Sequence, residues 1–101
     1  MEKAFEIIEL ANKTGKVRRG CNEVTKALEQ GKAKFVVAAQ DTSPKEIIMH
    51  LPLLAKEKGV PCVMVEKKEE LGAASGIPLG TAAVAVIEAG DAKDLIKNFS
   101  E

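Results

Sequence analysis

FVVAAQDTSPKEIIMHLPLLAKEKGVPCVMV, Phe35 to Val65, is the stretch that decides the fold. Its first five residues, Phe35 to Ala39, are apolar without a break, the pattern of a strand buried on both faces. Ser43-Pro44-Lys45-Glu46 reads as a capping box. Ser43 suits the cap of the amide three residues on, Pro44 suits the first helical position, and Glu46 can reach back. The helix opened there carries Ile47, Ile48, Leu51, Leu54 and Ala55 and ends at Gly59. Pro52 inside it predicts a kink or a local loss of hydrogen bonding, because proline has no amide proton. Cys62 to Val65 gives a second strand.

Reading outward adds the flanking elements. Phe5, Ile8 and Ala11, with Ile7 and Leu10 beside them, recur at helical spacing and predict a helix over about Glu2–Asn12, ended by Gly15. A short basic loop, Lys16 to Gly20, follows. A second helix is predicted over about Asn22–Gln30, with Val24, Ala27 and Leu28 facing inward and Gly31 closing it. On the C-terminal side, Lys68 to Ala74 reads as a short helix stopped by Gly76, and Ala82 to Ile87 as a third apolar strand. Asp91 is placed to cap a last helix ending near Phe99. Helices alternating with doubly buried strands imply an α/β fold, a three-layer α/β/α sandwich around a small mixed sheet. With no repeat, linker or low-complexity tract, residues 1–101 read as a single domain.

Composition narrows the function classes. Hydrophobic residues are 46% and charged residues 30%, too apolar for a disordered tail. No apolar run approaches the ~18 residues needed to span a bilayer, and MEKAFEIIEL is too charged for a signal peptide, so no membrane role is expected. Two cysteines, Cys21 and Cys62, are too few for a disulfide scaffold and fit a reducing cytoplasm. With the single His50 they do not make a zinc spacing, so no metal or cofactor is expected. His50 has no serine or cysteine adjacent in sequence, and Cys62 starts a strand read as buried, where a thiol behaves as a small apolar group. Glycines 72, 76 and 80 match neither a dinucleotide nor a phosphate loop. Glu69 and Glu70 open a helix, where carboxylates favour the dipole. The sequence therefore reads as a non-enzyme.

Charge is balanced overall, 15 bases against 15 acids, which by itself argues against nucleic acid. The balance is local. Asn12–Lys34 holds Lys13, Lys16, Arg18, Arg19, Lys26, Lys32 and Lys34 against Glu23 and Glu29, whereas acids outnumber bases from Phe35 onward. Within this segment, KVRRGCNEVTK, Lys16 to Lys26, feeds a basic loop directly into a helix. Asn22 and Lys26 are four apart and share a face. Lysine and asparagine donate to base edges, and a glutamate such as Glu23 accepts from a base amino group. Spacing alone leaves two readings open: a base-reading device, or a helix start with a solubilising face. Tryptophan and tyrosine are absent and phenylalanine occurs three times, so readout by extensive base stacking is excluded.

GCNEVTKALEQGKAKFVVAAQD, PKEIIMHLPLLAKEKGVP and the later LG…A-x-VAVIE-x-G together resemble the kink-turn-binding ribosomal protein family, over roughly residues 3 to 97. Within it the chain is most similar to the archaeal L-seven-Ae type, which serves the large ribosomal subunit and box C/D and H/ACA guide ribonucleoproteins. GTAAVAVIEAG is also similar to the L-thirty-e branch. The resemblance implies that Asn22, Glu23 and Lys26 read the tandem sheared G·A pairs of a kink-turn. It implies that Lys16, Arg18 and Arg19 hold phosphates at the bend, and that Gly20 lets the backbone approach the RNA beside Cys21. It places Ile77, Pro78, Leu79, Gly80, Thr81 and Ala82 in an apolar loop that shelters a flipped-out nucleotide, with Ile47 and Lys68 around the same pocket. Four positions depart from the family pattern: Ser43 stands where an acid is common, Leu79-Gly80 where a valine-proline pair is common, and Cys21 where threonine is usual.

The partners implied are kink-turns of ribosomal RNA, box C/D or H/ACA guide RNA and ribonuclease P RNA, together with ribonucleoprotein core proteins, the free protein being a monomer. Two other readings are carried. One is a scaffold acting mainly through protein contacts on the helix Pro44–Lys58, with Met49, Leu53 and Leu54. The other is a small α/β enzyme using Cys62 or His50.

Overall fold

A computed structural model of the chain describes residues 2–41 and 46–99. Helix α1 spans Glu2–Thr14, strand β1 Lys16–Arg19, helix α2 Cys21–Glu29 and strand β2 Phe35–Ala39. They are followed by helix α3 Glu46–Glu57, strand β3 Cys62–Val65, helix α4 Lys68–Ala74 and strand β4 Ala83–Glu88. A 3-10 turn, Gly90–Ala92, leads into α5, Lys93–Lys97.

The four strands form one sheet in the order β1-β4-β2-β3. β4 runs antiparallel to both neighbours, and β2 and β3 are parallel. The sheet is mixed, as the sequence implied. Both faces are covered, and the apolar strands divide their side chains between two cores with the period of two that a pleat imposes. Phe35, Val37 and Ala39 of β2, with Val84 and Val86 of β4, pack with α1 and α4. Val36 and Ala38, with Ala83 and Ala85, pack with α2 and α3. The unbroken apolar run at Phe35 therefore means what it was read to mean: every residue of β2 is buried.

β1 is the main departure from the expected elements. The segment read as a basic loop pairs antiparallel with β4, Arg18 opposite Ala85 and Arg19 opposite Val84. Its exposure alternates along the strand. A short edge strand tolerates charges on its open side, and its charged residues hid the pairing from a reading based on apolar runs. β3 is the opposite edge, so Cys62 is half-buried and the strand alternates between half-buried and buried residues, not the continuous burial expected. β4 is shifted one residue later than read, to Ala83–Glu88. Helix α3 continues through Pro52. Ser43, Pro44 and Lys45 lie outside the described residues, and the expected capping box with them. Asp91 does not cap the last helix. It sits inside the 3-10 turn, and its amide donates to the Thr14 hydroxyl at 2.9 Å.

A candidate nucleic-acid interface at the strand ends

β1, β2 and β3 all run in one direction, and each leads into a helix: β1 into α2, β2 into α3, β3 into α4. Their C-terminal ends, the place where open α/β sheets bind ligands, lie at one end of the sheet. A hydrogen-bond chain ties that end together. The Gly20 amide donates to the Ala83 carbonyl at 2.8 Å, and the Ala39 amide to the Ala82 carbonyl at 2.8 Å. The Gln40 amide donates to the Val65 carbonyl at 2.7 Å, and the Thr81 amide to the Lys68 carbonyl at 3.1 Å. Asp41, just past β2, accepts from the Lys68 amide at 2.8 Å and so satisfies one donor of the α4 start.

Gly20 turns the chain from β1 into α2 at φ 96°, ψ 147°, a conformation that L side chains rarely adopt. No side chain caps α2 at this residue. Cys21 is half-buried against the α2–α3 core. Asn22, Glu23 and Lys26 are exposed on the first turns of α2, while Val24, Ala27 and Leu28 are buried beneath them. The buried face fixes the helix, and its rotation presents the three polar side chains outward together.

Beside them runs an open groove of about 420 Å³, lined by Lys16, Arg18, Glu23, Lys26, Ala27, Gln30, Lys32, Ile87 and Glu88. The fold thus gathers Lys16, Arg18, Glu23 and Lys26 from β1 and α2 into one surface. Arg19 is set apart from them. It faces the other side of the sheet, where its guanidinium donates to the Asn12 side-chain oxygen at 2.7 Å and, through Nε, to the Ser75 carbonyl at 2.9 Å. The terminal nitrogen that donates to Asn12 also reaches the Ser75 carbonyl. Strand alternation separates the two arginines, and Arg19 latches α1 to the end of α4.

The loop from Ile77 to Ala82 folds over the start of α4. The Ile77 amide donates to the Gly72 carbonyl at 3.1 Å. A Cβ at Gly72 would collide with the Leu79 carbonyl oxygen, so the close seating of this loop requires glycine there. Thr81 is buried, with its hydroxyl donating to the Ala83 carbonyl at 3.1 Å, and Ile77 and Ala82 are half-buried. Pro78, Leu79 and Gly80 are exposed, and Leu79 keeps 73% of its surface open. A Cβ at Gly80 would press on the Lys68 side chain, which puts Lys68 under the loop. Ile47 lies in the first turn of α3, and its side chain is outside the described residues.

Sequence reasoning missed Gln30, Lys32 and Glu88 as groove residues and Asp41 as the brace of α4. Lys32 was visible in the basic run; Glu88 comes from a strand more than fifty residues away and carried no local signal. His50 is exposed and shares a 2.8 Å hydrogen bond with the Thr25 hydroxyl. Among the described residues, no group of three or more His, Cys, Asp and Glu side chains could hold a metal ion, and no helix is long and apolar enough to cross a membrane.

These features define a small α/β/α binding domain whose polar and basic side chains stand on an open surface that runs from the α2 start along β1. The chain belongs to the Ribosomal protein L7Ae/L30e/S12e/Gadd45 family, which it matches over residues 2–96. It is 54% identical over 99 residues to the large ribosomal subunit protein eL8 of Halobacterium salinarum, covering 98% of this chain and 82% of that one; two strains give the same values. Its fold is similar to a Giardia lamblia 15.5kD RNA binding protein, with a TM-score of 0.82 and 30% identity over 96% of this chain and 83% of the other.

Proposed function

We propose that this chain is an RNA-binding ribosomal protein that recognises kink-turns and stabilises their bent form. The observation that carries the reading is the shared exposure of Asn22, Glu23 and Lys26 above a groove walled by Lys16 and Arg18. Base edges in ordinary A-form RNA lie in a groove too deep and narrow for side chains, whereas a sharply bent segment opens them. Asn22 and Lys26 act as donors and Glu23 as acceptor toward the sheared G·A edges. Lys16 and Arg18 hold the flanking phosphates. Leu79, exposed on the loop Ile77–Ala82, covers an extruded base by apolar contact. Arg19 contributes by holding the interface in place. The protein works by differential affinity for the bent conformer, without turnover.

Family membership and the names borne by the two relatives support RNA and the ribosome as the setting, and hence the cytoplasm as the place of action. Kink-turns of ribosomal RNA are the primary target; box C/D, H/ACA and ribonuclease P RNAs that contain the same motif are further targets, joined there by ribonucleoprotein core proteins. Gel-shift titration of a kink-turn RNA tests the reading. Asn22→Ala and Lys26→Ala are each expected to weaken binding by about 1–3 kcal/mol through lost base contacts. Wild-type affinity in both variants would remove the assignment.

A second reading is favoured by one observation on α3. Met49 is 64% exposed and Leu53 70%, and at a spacing of four they share a helix face. A scaffold surface there would leave the RNA affinity of a Met49→Lys, Leu53→Lys variant unchanged while abolishing its capture of ribonucleoprotein partners. Unchanged capture would dismiss it.

A further inference from the structure

A second basic surface lies at the opposite end of the sheet from the α2 start. An open cavity of about 500 Å³ is lined there by Lys34, Ala89, Gly90, Lys93, Ile96 and Lys97. Three of its six lining residues are lysines, and none is an acid. The groove beside α2 is different: Glu23 and Glu88 stand among its bases. Lys93 and Lys97 are four apart on α5 and so point the same way, with Ile96 beside them. Lys34 comes from the turn before β2, where its amide donates to the Val86 carbonyl at 2.7 Å. Asp91 and Asp94 belong to the same C-terminal segment but do not line the cavity. All three lysines are exposed, while Ala89 and Ile96 are half-buried and form a floor packed on the α1 core.

The two basic surfaces are adjacent along the chain. Lys32 lines the first and Lys34 the second, and Ile87-Glu88 of the first is followed directly by Ala89-Gly90 of the second. We propose that Lys34, Lys93 and Lys97 form a second RNA site, which takes the sugar–phosphate backbone of a double-helical stem. Phosphates pair with the three ammonium groups, and the apolar floor accepts the sugars between them. The site reads no sequence, since lysines that reach only the backbone carry no base information. Its place on a stem leaving a bound kink-turn rests on the function proposed above; its affinity for duplex backbone does not.

Fluorescence-anisotropy titrations across a KCl series test this with three RNAs. One is a kink-turn with minimal stems. The second is the same kink-turn with stems longer than the protein's 33 Å extent. The third is a straight duplex of equal length. The variant is Lys34→Gln/Lys93→Gln/Lys97→Gln, whose thermal midpoint is checked against wild type. The variant is expected to bind the short kink-turn like wild type. On the long kink-turn it is expected to bind about tenfold more weakly, with a salt slope lower by about three, since each of the three lost phosphate contacts removes nearly one released counterion. The straight duplex is expected to show the same fall in slope. An unchanged slope on both long RNAs overturns the second site. A wild-type protein that does not prefer the kink-turn over the duplex, yet loses slope in the variant, overturns the kink-turn reading and supports the second site. Tighter wild-type binding to polyglutamate than to the duplex overturns RNA as the occupant.

Discussion

The two faces of the sheet are built from different side chains. Toward α1 and α4 the strands present Phe35, Val37, Val63, Val65, Val84 and Val86. Toward α2 and α3 they present Val36 flanked by Ala38, Ala83 and Ala85 at the centre, with Cys62, Met64 and Ile87 half-buried at the rim, met by Val24, Ala27, Leu28, Leu51 and Ala55 of the helices. The first face holds the larger apolar surface, and with it the larger share of hydrophobic stabilisation, since that scales with area buried. Phe35 stacks edge-on against Phe99 there, ring centroids 5.2 Å apart at 73°. The second face is low and smooth, and lets α2 seat its buried stripe while its polar stripe carries the candidate RNA reader. The larger core and the candidate reader helix thereby lie on opposite sides of one sheet. Arg18 and Arg19 repeat the division at the scale of two residues: one lines the groove beside α2, the other latches α1 to α4.

The strongest way to break this comparison is Phe35→Ala. Emptying a fully buried aromatic site is expected to cost about 3–5 kcal/mol in urea unfolding. The kink-turn affinity of the fraction that remains folded should be unchanged. A binding loss larger than the unfolded fraction explains would mean that the two faces are not separable. Next in size is Ala85→Leu, which overpacks the smooth face. A stability loss of about 1–3 kcal/mol is expected, accompanied by weaker RNA binding as α2 is pushed out of place. Calorimetric binding at full strength in this variant would show that the position of α2 does not depend on the alanines.

The arginine pair sharpens the same contrast. Arg19→Ala strips the buried Ser75 carbonyl of its side-chain partner, and about 1–3 kcal/mol of stability should go with it. Arg18→Ala should leave the unfolding midpoint in place and act only on RNA. All RNAs should bind somewhat more weakly, and the salt slope should fall by about one. Equal effects of the two substitutions on stability would contradict the alternation seen along β1.

Much of this arrangement was legible in the chain. The runs Phe35–Ala39 and Cys62–Val65 and the helix Lys68–Ala74 were read with the boundaries that the structure has. Unbroken apolar runs and glycine-stopped helices announce themselves locally. β1 was not legible, because its pairing energy comes from β4 and its own charged residues argue for a loop. Nor was the parting of Arg18 from Arg19, which follows only once the segment is known to be pleated. The candidate reader residues Asn22, Glu23 and Lys26 were visible as a spacing on one helix, and their exposed face follows from the apolar positions between. The approach of Glu88, Lys32 and Lys16 to that face joins residues far apart in sequence, and no local pattern encodes it.

By itself the sequence determined the layer order, the helix that carries the candidate reader and the local excess of positive charge. These depend on period, glycine stops and composition within a few residues of each other. Tertiary structure decided that the basic segment is an edge strand, that Arg19 braces while Arg18 faces the groove, and that the loop Ile77–Ala82 sits over Lys68 beside the α2 start. Those outcomes rest on contacts between distant strands, where a one-residue change of register would send each side chain to the other face of the sheet.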